Sequence, residues 1–370
     1  MFVRKPLFEV LKARSDRLEL VCAASGAIAA SPSVRNVYSE CGGIYDIRYF
    51  DASDAVRGLP LSSTALTADL GQGNTPLVTL DRLAQDLGID GLAAKLEFCS
   101  PTGSFKDRGS AVLISAAAEE GISEFVEDSS GNAGASMSAY AARAGIRSHI
   151  FAPSTAAPGK LDQIRIFGAE LHLIDGPRQV ATDAAAEFAE KQNIPYLSHA
   201  LSPWFAEGVK AMVHEIEVAG FDATDIVAPA GNGALLIGSY AGYHDVDRPR
   251  IHCVQSDAVQ PLIRAINGES WDADEARSTV ASGISVSIPP RASQAARAVV
   301  NSGGSAIAVT DASMLRWRKR LAQEAGIFCE VTSAAAFAGL EMLVSSGRIG
   351  NEARVLVPVT GSGLKEPLNQ

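Results

Sequence analysis

The first residue whose type and setting suggest chemistry is Lys106, in Pro101-Thr102-Gly103-Ser104-Phe105-Lys106-Asp107-Arg108-Gly109. The segment joins a strand pattern over 91–98 to a helix pattern over 104–120, with Ser104 as the expected cap. Lys106 then falls in the first helical turn, where the dipole is positive and disfavours its charge. A depressed amine pKa suits a lysine that must form a Schiff base. The plain alternative is a solvated Lys-Asp-Arg surface cluster.

Three further loops have unusual composition. Asp128-Ser129-Ser130-Gly131-Asn132-Ala133-Gly134-Ala135-Ser136 also leads from a strand to a helix start. Its free N–H groups and two hydroxyls form a cradle for a carboxylate, and Asn132 offers an amide to a ring oxygen. A well-capped helix with small residues for close packing is the alternative. Pro229-Ala230-Gly231-Asn232-Gly233-Ala234-Leu235 follows an apolar strand and opens an apolar helix, a geometry for holding phosphate on main-chain donors. It lacks the full nucleotide and dinucleotide glycine patterns, and a bare G-N-G otherwise marks a tight turn. Val357-Pro358-Val359-Thr360-Gly361-Ser362-Gly363-Leu364-Lys365 ends the last strand in hydroxyls and glycines. Thr360 or Ser362 can hydrogen-bond a ligand edge there, or the segment is a terminal loop.

The elements that must position these loops alternate. Strands are expected over 91–98, 124–127, 147–152, 171–174, 225–229, 250–255 and 354–359. Helices are expected over 104–120, 132–144, 159–167, 179–192, 205–218, 315–325 and 333–344, with another after Gly233. Such alternation predicts an α/β fold of parallel sheets covered on both faces, with ligands at the strands' carboxyl ends. Residues 1–70 are irregular, with short strand-like pieces such as 43–49.

Composition bounds the function. The 370 residues carry 32 Lys and Arg against 42 Asp and Glu, a net charge of −10. That balance, without long basic runs, argues against nucleic acid or a membrane surface as partner. Apolar residues at 47% and charged residues at 20% describe a globular chain. The N-terminal stretch over 1–20 has no long apolar core, so a signal peptide is not expected, and no apolar run is long enough to span a membrane. A cytoplasmic enzyme is the expectation. Five scattered cysteines imply no disulfide scaffold. The six histidines include no H-x-x-x-H pair, so no metal is expected.

The order and spacing of the four loops resemble the fold-type-II pyridoxal-phosphate (PLP) enzymes, and within them the threonine synthase family. The match runs from Asn74-Thr75-Pro76-Leu77-Val78 through the Lys106 loop. It includes Gly326-Ile327-Phe328-Cys329-Glu330 with Ser333-Ala334-Ala335, and Thr360-Gly361-Ser362-Gly363-Leu364-Lys365. It covers about residue 71 to the C-terminus, with a weaker echo near the N-terminus. The resemblance implies two parallel-sheet, three-layer domains with PLP between them and a small N-terminal extension. Its boundaries are 1–70 for the extension, 71–109 with 201–370 for the large domain, and 110–200 for a small inserted domain.

By the same resemblance Lys106 carries the cofactor as a Schiff base and later shuttles protons, while Phe105 packs beside it. Asn132 bonds the phenolic oxygen. Ser129, Ser130 and Gly131 hold the substrate carboxylate, with Ala133 in the same loop. Gly231, Asn232, Gly233, Ala234 and Leu235 form the phosphate cup. Thr360 faces the pyridine nitrogen, giving a weaker electron sink than a carboxylate partner would. Glu330 is either a second acid near the cofactor or an exposed helix-start glutamate.

Departures from the family bear on substrate. The usual Asn-Pro-Tyr-Arg-x-Glu-Gly reads Ser202-Pro203-Trp204-Phe205-Ala206-Glu207-Gly208, so the arginine that helps hold substrate phosphate becomes Phe205. Leu235 replaces an asparagine, and Ala133 a threonine. Arg291 and Lys160 are candidate replacement cations, each read first as a surface charge. Relatives often carry a zinc-ribbon-like pair of C-x-x-C knuckles, of which Cys22 and Cys41 are the remnants. A structural zinc needs four ligands, so a ribbon without its ion, held by Ile44, Tyr45, Ile47 and Tyr49, is expected.

The implied reaction removes the α-proton of an amino acid bearing a β or γ leaving group; the family reaction turns O-phosphohomoserine into threonine and phosphate. The alternative is β-elimination or β-replacement on a serine-, phosphoserine- or hydroxyaspartate-like substrate. A non-catalytic binding protein is the remaining reading. The partner is a small amino acid, and the family is compatible with a homodimer.

Overall fold

The computed structural model describes residues 12–13, 18–62, 66–156, 158–243 and 248–366. Most of the stretch inspected above for a signal peptide therefore lies outside the described residues. No helix among the described residues is long and apolar enough to cross a membrane. The chain forms two compact units, residues 1–73, 100–102 and 106–211, and residues 74–99, 103–105 and 212–370.

The second unit is built on a sheet whose described strands run in the order Ala306–Val309, Arg250–Ser256, Asp225–Pro229, Arg354–Pro358, Gly91–Lys95, Leu77–Thr79. All neighbours are parallel except Leu77–Thr79, which pairs antiparallel with Gly91–Lys95. Asp225–Pro229 is buried throughout and Arg250–Ser256 nearly so, as expected of parallel strands covered on both faces. Helix Val331–Ser345 has an Ala-rich sequence and is buried on nearly every side. Its Phe337 and Leu340 join Trp317, Val355 and Val357 in the core of this unit.

One buried ion pair shapes the start of this unit. Lys95 ends its strand with Nζ 2.5 Å from Glu215 Oε2 and 2.5 Å from the Thr75 carbonyl. Glu215 also accepts the backbone N–H groups of Asn74 and Thr75 at 2.8 and 3.2 Å. Asn74 is held at φ 49°, a conformation few residues other than glycine adopt. The Asn74-Thr75-Pro76 segment is thus fixed by a carboxylate 140 residues away.

The first unit carries the parallel strands Glu124–Glu127, Arg147–Pro153 and Glu170–Ile174, adjacent in that order. Helices Asn132–Ala144 and Pro158–Ile166 make the crossovers, and Arg178–Gln192 follows the last strand. Helix Lys106–Glu119, buried from Asp107 to Ala117, packs against Asn132–Ala144 and Pro203–Val209. An antiparallel pair, Leu18–Cys22 with Tyr45–Tyr49, sets Cys22 opposite Tyr45, and Ile44 and Tyr45 are buried.

Several boundaries differ from the sequence expectation. The helix expected over 205–218 is two helices, Pro203–Val209 and Ala211–Val218. The chain tightens at Lys210, whose N–H bonds the Glu207 carbonyl three residues back. The strand over 91–98 stops at Lys95, before a 3-10 turn at Glu97–Cys99. Ser104 is not a helix cap: it forms a bridge with Gly361, and its buried Oγ has no hydrogen-bond partner among the described residues. The short strand Ala306–Val309 was not anticipated, because four apolar residues carry too little period to read.

Candidate functional site

Helix Lys106–Glu119 begins at the lysine itself. Asp107 and Arg108 are fully buried and Lys106 is half-buried, so the solvated surface cluster is excluded. Asp107 accepts from the Thr102 N–H at 2.7 Å, the Thr102 hydroxyl at 2.5 Å and the Ser136 hydroxyl at 2.7 Å. Ser136 also bonds Ser110 at 2.7 Å. A buried carboxylate persists only when its lone pairs are filled, and here they lock the start of the lysine helix to helix Asn132–Ala144. Sequence reasoning missed Asp107, because its acid looked like surface charge.

Phe205, which stands at the family's arginine position, is fully buried beside the lysine helix. Its ring centroid lies 5.9 Å from Lys106 Nζ. A Cβ on Gly109 would meet three ring atoms at 2.6 Å, so glycine lets the ring approach. His199 sets its ring edge against Phe205 at 5.5 Å. The His199 N–H donates to Glu127 Oε2 at 2.8 Å, and Nδ1 lies 2.6 Å from Oε1. Burial pushes Glu127 well above the usual carboxylate range, with the Asp128 charge adding to it. Burial and the Lys106 charge hold His199 well below the usual imidazole value. Both shifts favour the uncharged forms of the pair. Neither Glu127 nor His199 was singled out from the sequence.

Ser129, Ser130, Gly131 and Asn132 lie in the same unit as Lys106. They follow strand Glu124–Glu127 and enter helix Asn132–Ala144, with Gly131 extended at its cap. Ser129 and Ala133 are buried, while Ser130, Gly131 and Asn132 are half-buried. The Gly131 N–H points to Ser129 Oγ at 3.3 Å.

The second unit brings together the other predicted residues. Asp225–Pro229 and Arg354–Pro358 are neighbouring parallel strands, so the turn 230–233 and the turn after Pro358 leave the same edge of the sheet. Gly233 sits at φ 85° and begins helix Ala234–Ala241, and no side chain caps that end. A Cβ on Gly231 would lie 2.6 Å from the Gly283 carbonyl oxygen. Gly231, Ala234 and Leu235 are buried, and Asn232 is half-buried. The Phe105 N–H bonds the Thr360 carbonyl at 3.0 Å. The Thr360 hydroxyl donates to Glu330 Oε1 at 2.9 Å and lies 2.8 Å from Ser333 Oγ, which accepts the Gly361 N–H at 3.1 Å.

Glu330 is 2% exposed, which removes the reading of an exposed helix-start glutamate. The surface readings of Arg291 and Lys160 fail as well, since they are 2% and 8% exposed. Cys22 and Cys41 approach to 3.6 Å, with Ser39 on both sulfurs. Hydrogen bonds from Ser25 and Ser39 hold the Cys22 thiol down at about 6.

These donors suit PLP. A bare glycine turn at a helix start, where a Cβ would intrude, supplies main-chain N–H groups for a phosphate. A half-buried lysine supplies the amine for an aldehyde. Parallel-sheet units bearing these two features define a PLP-dependent enzyme of fold type II. The chain belongs to the family described as pyridoxal-phosphate dependent enzyme, whose model matches residues 68–361.

Within that family its relatives narrow the class. It is 32% identical over 358 residues to threonine synthase of Methanocaldococcus jannaschii, covering 89% of this chain and 88% of that one. It is 34% identical over 317 residues to threonine synthase of Halalkalibacterium halodurans, covering 84% and 87%. The chain belongs to the threonine synthase family, and its enzyme class is that of the PLP-dependent lyases. Among solved structures it is similar to maize serine racemase, with TM-score 0.73 at 19% identity over 80% of this chain and 89% of that one. It is also similar to the processed form of threonine deaminase isoform 2 from Solanum lycopersicum, with TM-score 0.69 at 21% identity over 78% and 79%. At such identities these two likenesses speak for the fold alone.

Proposed function

We propose that this chain acts on an amino acid with a β or γ leaving group, with O-phosphohomoserine as first candidate and threonine and phosphate as products. The observation that carries this reading is Lys106, half-buried at the start of a helix pinned by Asp107, in a chain whose curated relatives are threonine synthases. PLP supplies an electron sink for the bond-breaking at the amino acid's α-carbon.

The chain's residues divide the remaining work. Lys106 Nζ holds the cofactor and, once released, takes the proton from the substrate's α-carbon. Phe105 packs beside the ring. Ser129, Ser130, Gly131 and the N–H groups around Ala133 bind the substrate carboxylate. Asn132 donates to the phenolic oxygen. Gly231, Asn232, Gly233, Ala234 and Leu235 offer main-chain donors to the cofactor phosphate. Thr360 presents a neutral oxygen to the ring nitrogen, its own proton directed to Glu330. Lys160 and Arg291 are the candidate cations for a substrate phosphate.

A second reading is favoured by Phe205. A buried aromatic ring at the position of the family's arginine is a poor place for a phosphate. It suits a smaller leaving group, as in β-elimination or β-replacement on a serine-like substrate. The domain boundaries given above, a homodimeric assembly and a cytoplasmic location belong to the same proposal.

The test is incubation of the PLP-loaded chain with O-phosphohomoserine, following phosphate and threonine. Release of both supports the first reading. Their absence, with keto acid released from serine analogues, selects the second. Lys106→Ala should abolish both activities and borohydride-trapped cofactor; retained trapping would remove Lys106 from its role.

A further inference from the structure

The three-stranded sheet of the first unit carries a cluster that the PLP chemistry does not use. Strand register places His149 opposite Glu170 and Phe151 opposite His172. Glu170 and His172 are two residues apart on one strand, so both share a face with His149. His149 Nδ1 lies 3.3 Å from His172 Nε2 and 3.4 Å from Glu170 Oε2. His172 Nε2 lies 3.6 Å from Glu170 Oε1. The two histidine nitrogens each have a different oxygen of Glu170 as near neighbour, and one ligand atom from each of the three residues lies within 4.8 Å of the other two. A tetrahedral ion with bonds of about 2.0–2.2 Å to nitrogen and oxygen requires donor edges of about 3.3–3.6 Å.

We propose that His149, His172 and Glu170 form a binding site for one divalent transition-metal ion of the zinc type, with water at the fourth position. Two imidazoles and one carboxylate suit such ions rather than calcium or magnesium. The rings are held in place before any ion arrives. His172 stacks on Phe151 at 4.3 Å with an interplanar angle of 10°, and both histidines pack against Phe188 at 5.2 Å. Behind His149, the buried Nε2 makes no hydrogen bond among the described residues, and Glu124 Oε2 stands 3.6 Å away. Glu170 is exposed and His172 half-buried, so an ion has a path from solvent. Glu170–Ile174 is the edge strand of its sheet, and the ion would staple it to Arg147–Pro153. The ligands come from neighbouring strands, so no closely spaced histidine pair marks them in the sequence.

The competing state is an N–H···N hydrogen bond between the two imidazoles with Glu170 alongside. Titrating the PLP-loaded Cys22→Ser/Cys41→Ser chain with Zn2+ by calorimetry separates the two, because that background removes the only thiol pair within 4 Å among the described residues. The expected result is one ion per chain and a melting temperature that rises with Zn2+ concentration. X-ray absorption should show nitrogen and oxygen ligands only. His172→Ala and Glu170→Gln should lose saturable binding and the melting shift while keeping the metal-free far-UV spectrum. No saturable binding in the background chain, or binding unchanged in both His172→Ala and Glu170→Gln, would overturn the proposal.

Discussion

Replacing Glu127 by Gln tests whether the buried pair beside Phe205 is neutral. The carboxyl makes two contacts to His199, at 2.8 Å to N–H and 2.6 Å to Nδ1. If Glu127 is protonated, glutamine reproduces both, with its oxygen accepting the N–H and its amide donating to Nδ1. The substitution then exchanges one neutral hydrogen bond for another and costs less than about 1 kcal/mol. If the pair were ionised, removing one charge would strand a buried imidazolium, at about 3–5 kcal/mol.

The pH dependence gives a second handle on the same substitution. Glu127 has a raised folded value, so its contribution is full below the unfolded value of about 4.3 and is lost as pH rises toward the folded one. Across that window the wild type loses about 1.4 kcal/mol per pH unit relative to the glutamine variant. His199 has a depressed value, so its contribution is full above about 6.5 and lost as pH falls below it, in both proteins alike. Urea unfolding at pH 7 should therefore find Glu127→Gln at least as stable as wild type. Its relative advantage should shrink as pH falls toward about 4. A loss of about 3 kcal/mol or more at pH 7, with an unchanged urea slope, would refute the neutral pair. Glu127→Ala is the control: it orphans two donor or acceptor groups of His199 and should cost about 2–6 kcal/mol.

Two further substitutions probe packing that positions the site. Glu215→Gln leaves Lys95 buried at 1% exposure without its counter-charge, and should cost about 3–5 kcal/mol in urea unfolding. Adding Lys95→Met should recover much of that loss, and no recovery would show that the hydrogen bonds to Asn74 and Thr75 matter more than the charge. Gly109→Ala would drive a Cβ to within 2.6 Å of the Phe205 ring and should cost about 1–3 kcal/mol. Recovery of the urea midpoint in Gly109→Ala/Phe205→Leu would trace the cost to that ring, and an unchanged midpoint in the single variant would contradict the tight contact.

The local features of this protein are legible in its amino-acid order. Strand and helix periods gave the α/β class, and glycine, serine and proline punctuation marked the turns around Gly233 and Gly131. The motifs around Lys106, Gly231 and Thr360, in their order, resemble those of the PLP family, and short-range rules of periodicity and turn chemistry placed them in loops. Burial and pairing were decided elsewhere. Asp107, Glu330, Arg291 and Lys160 looked like surface charge until tertiary packing buried them. Glu127 met His199 from 72 residues away, and His149 met Glu170 and His172 only through strand register. Which charged side chain is desolvated, and which partner compensates it, depends on the crossing of helices and the alignment of strands. Those long-range contacts leave no mark on local composition, so only the tertiary structure could supply them.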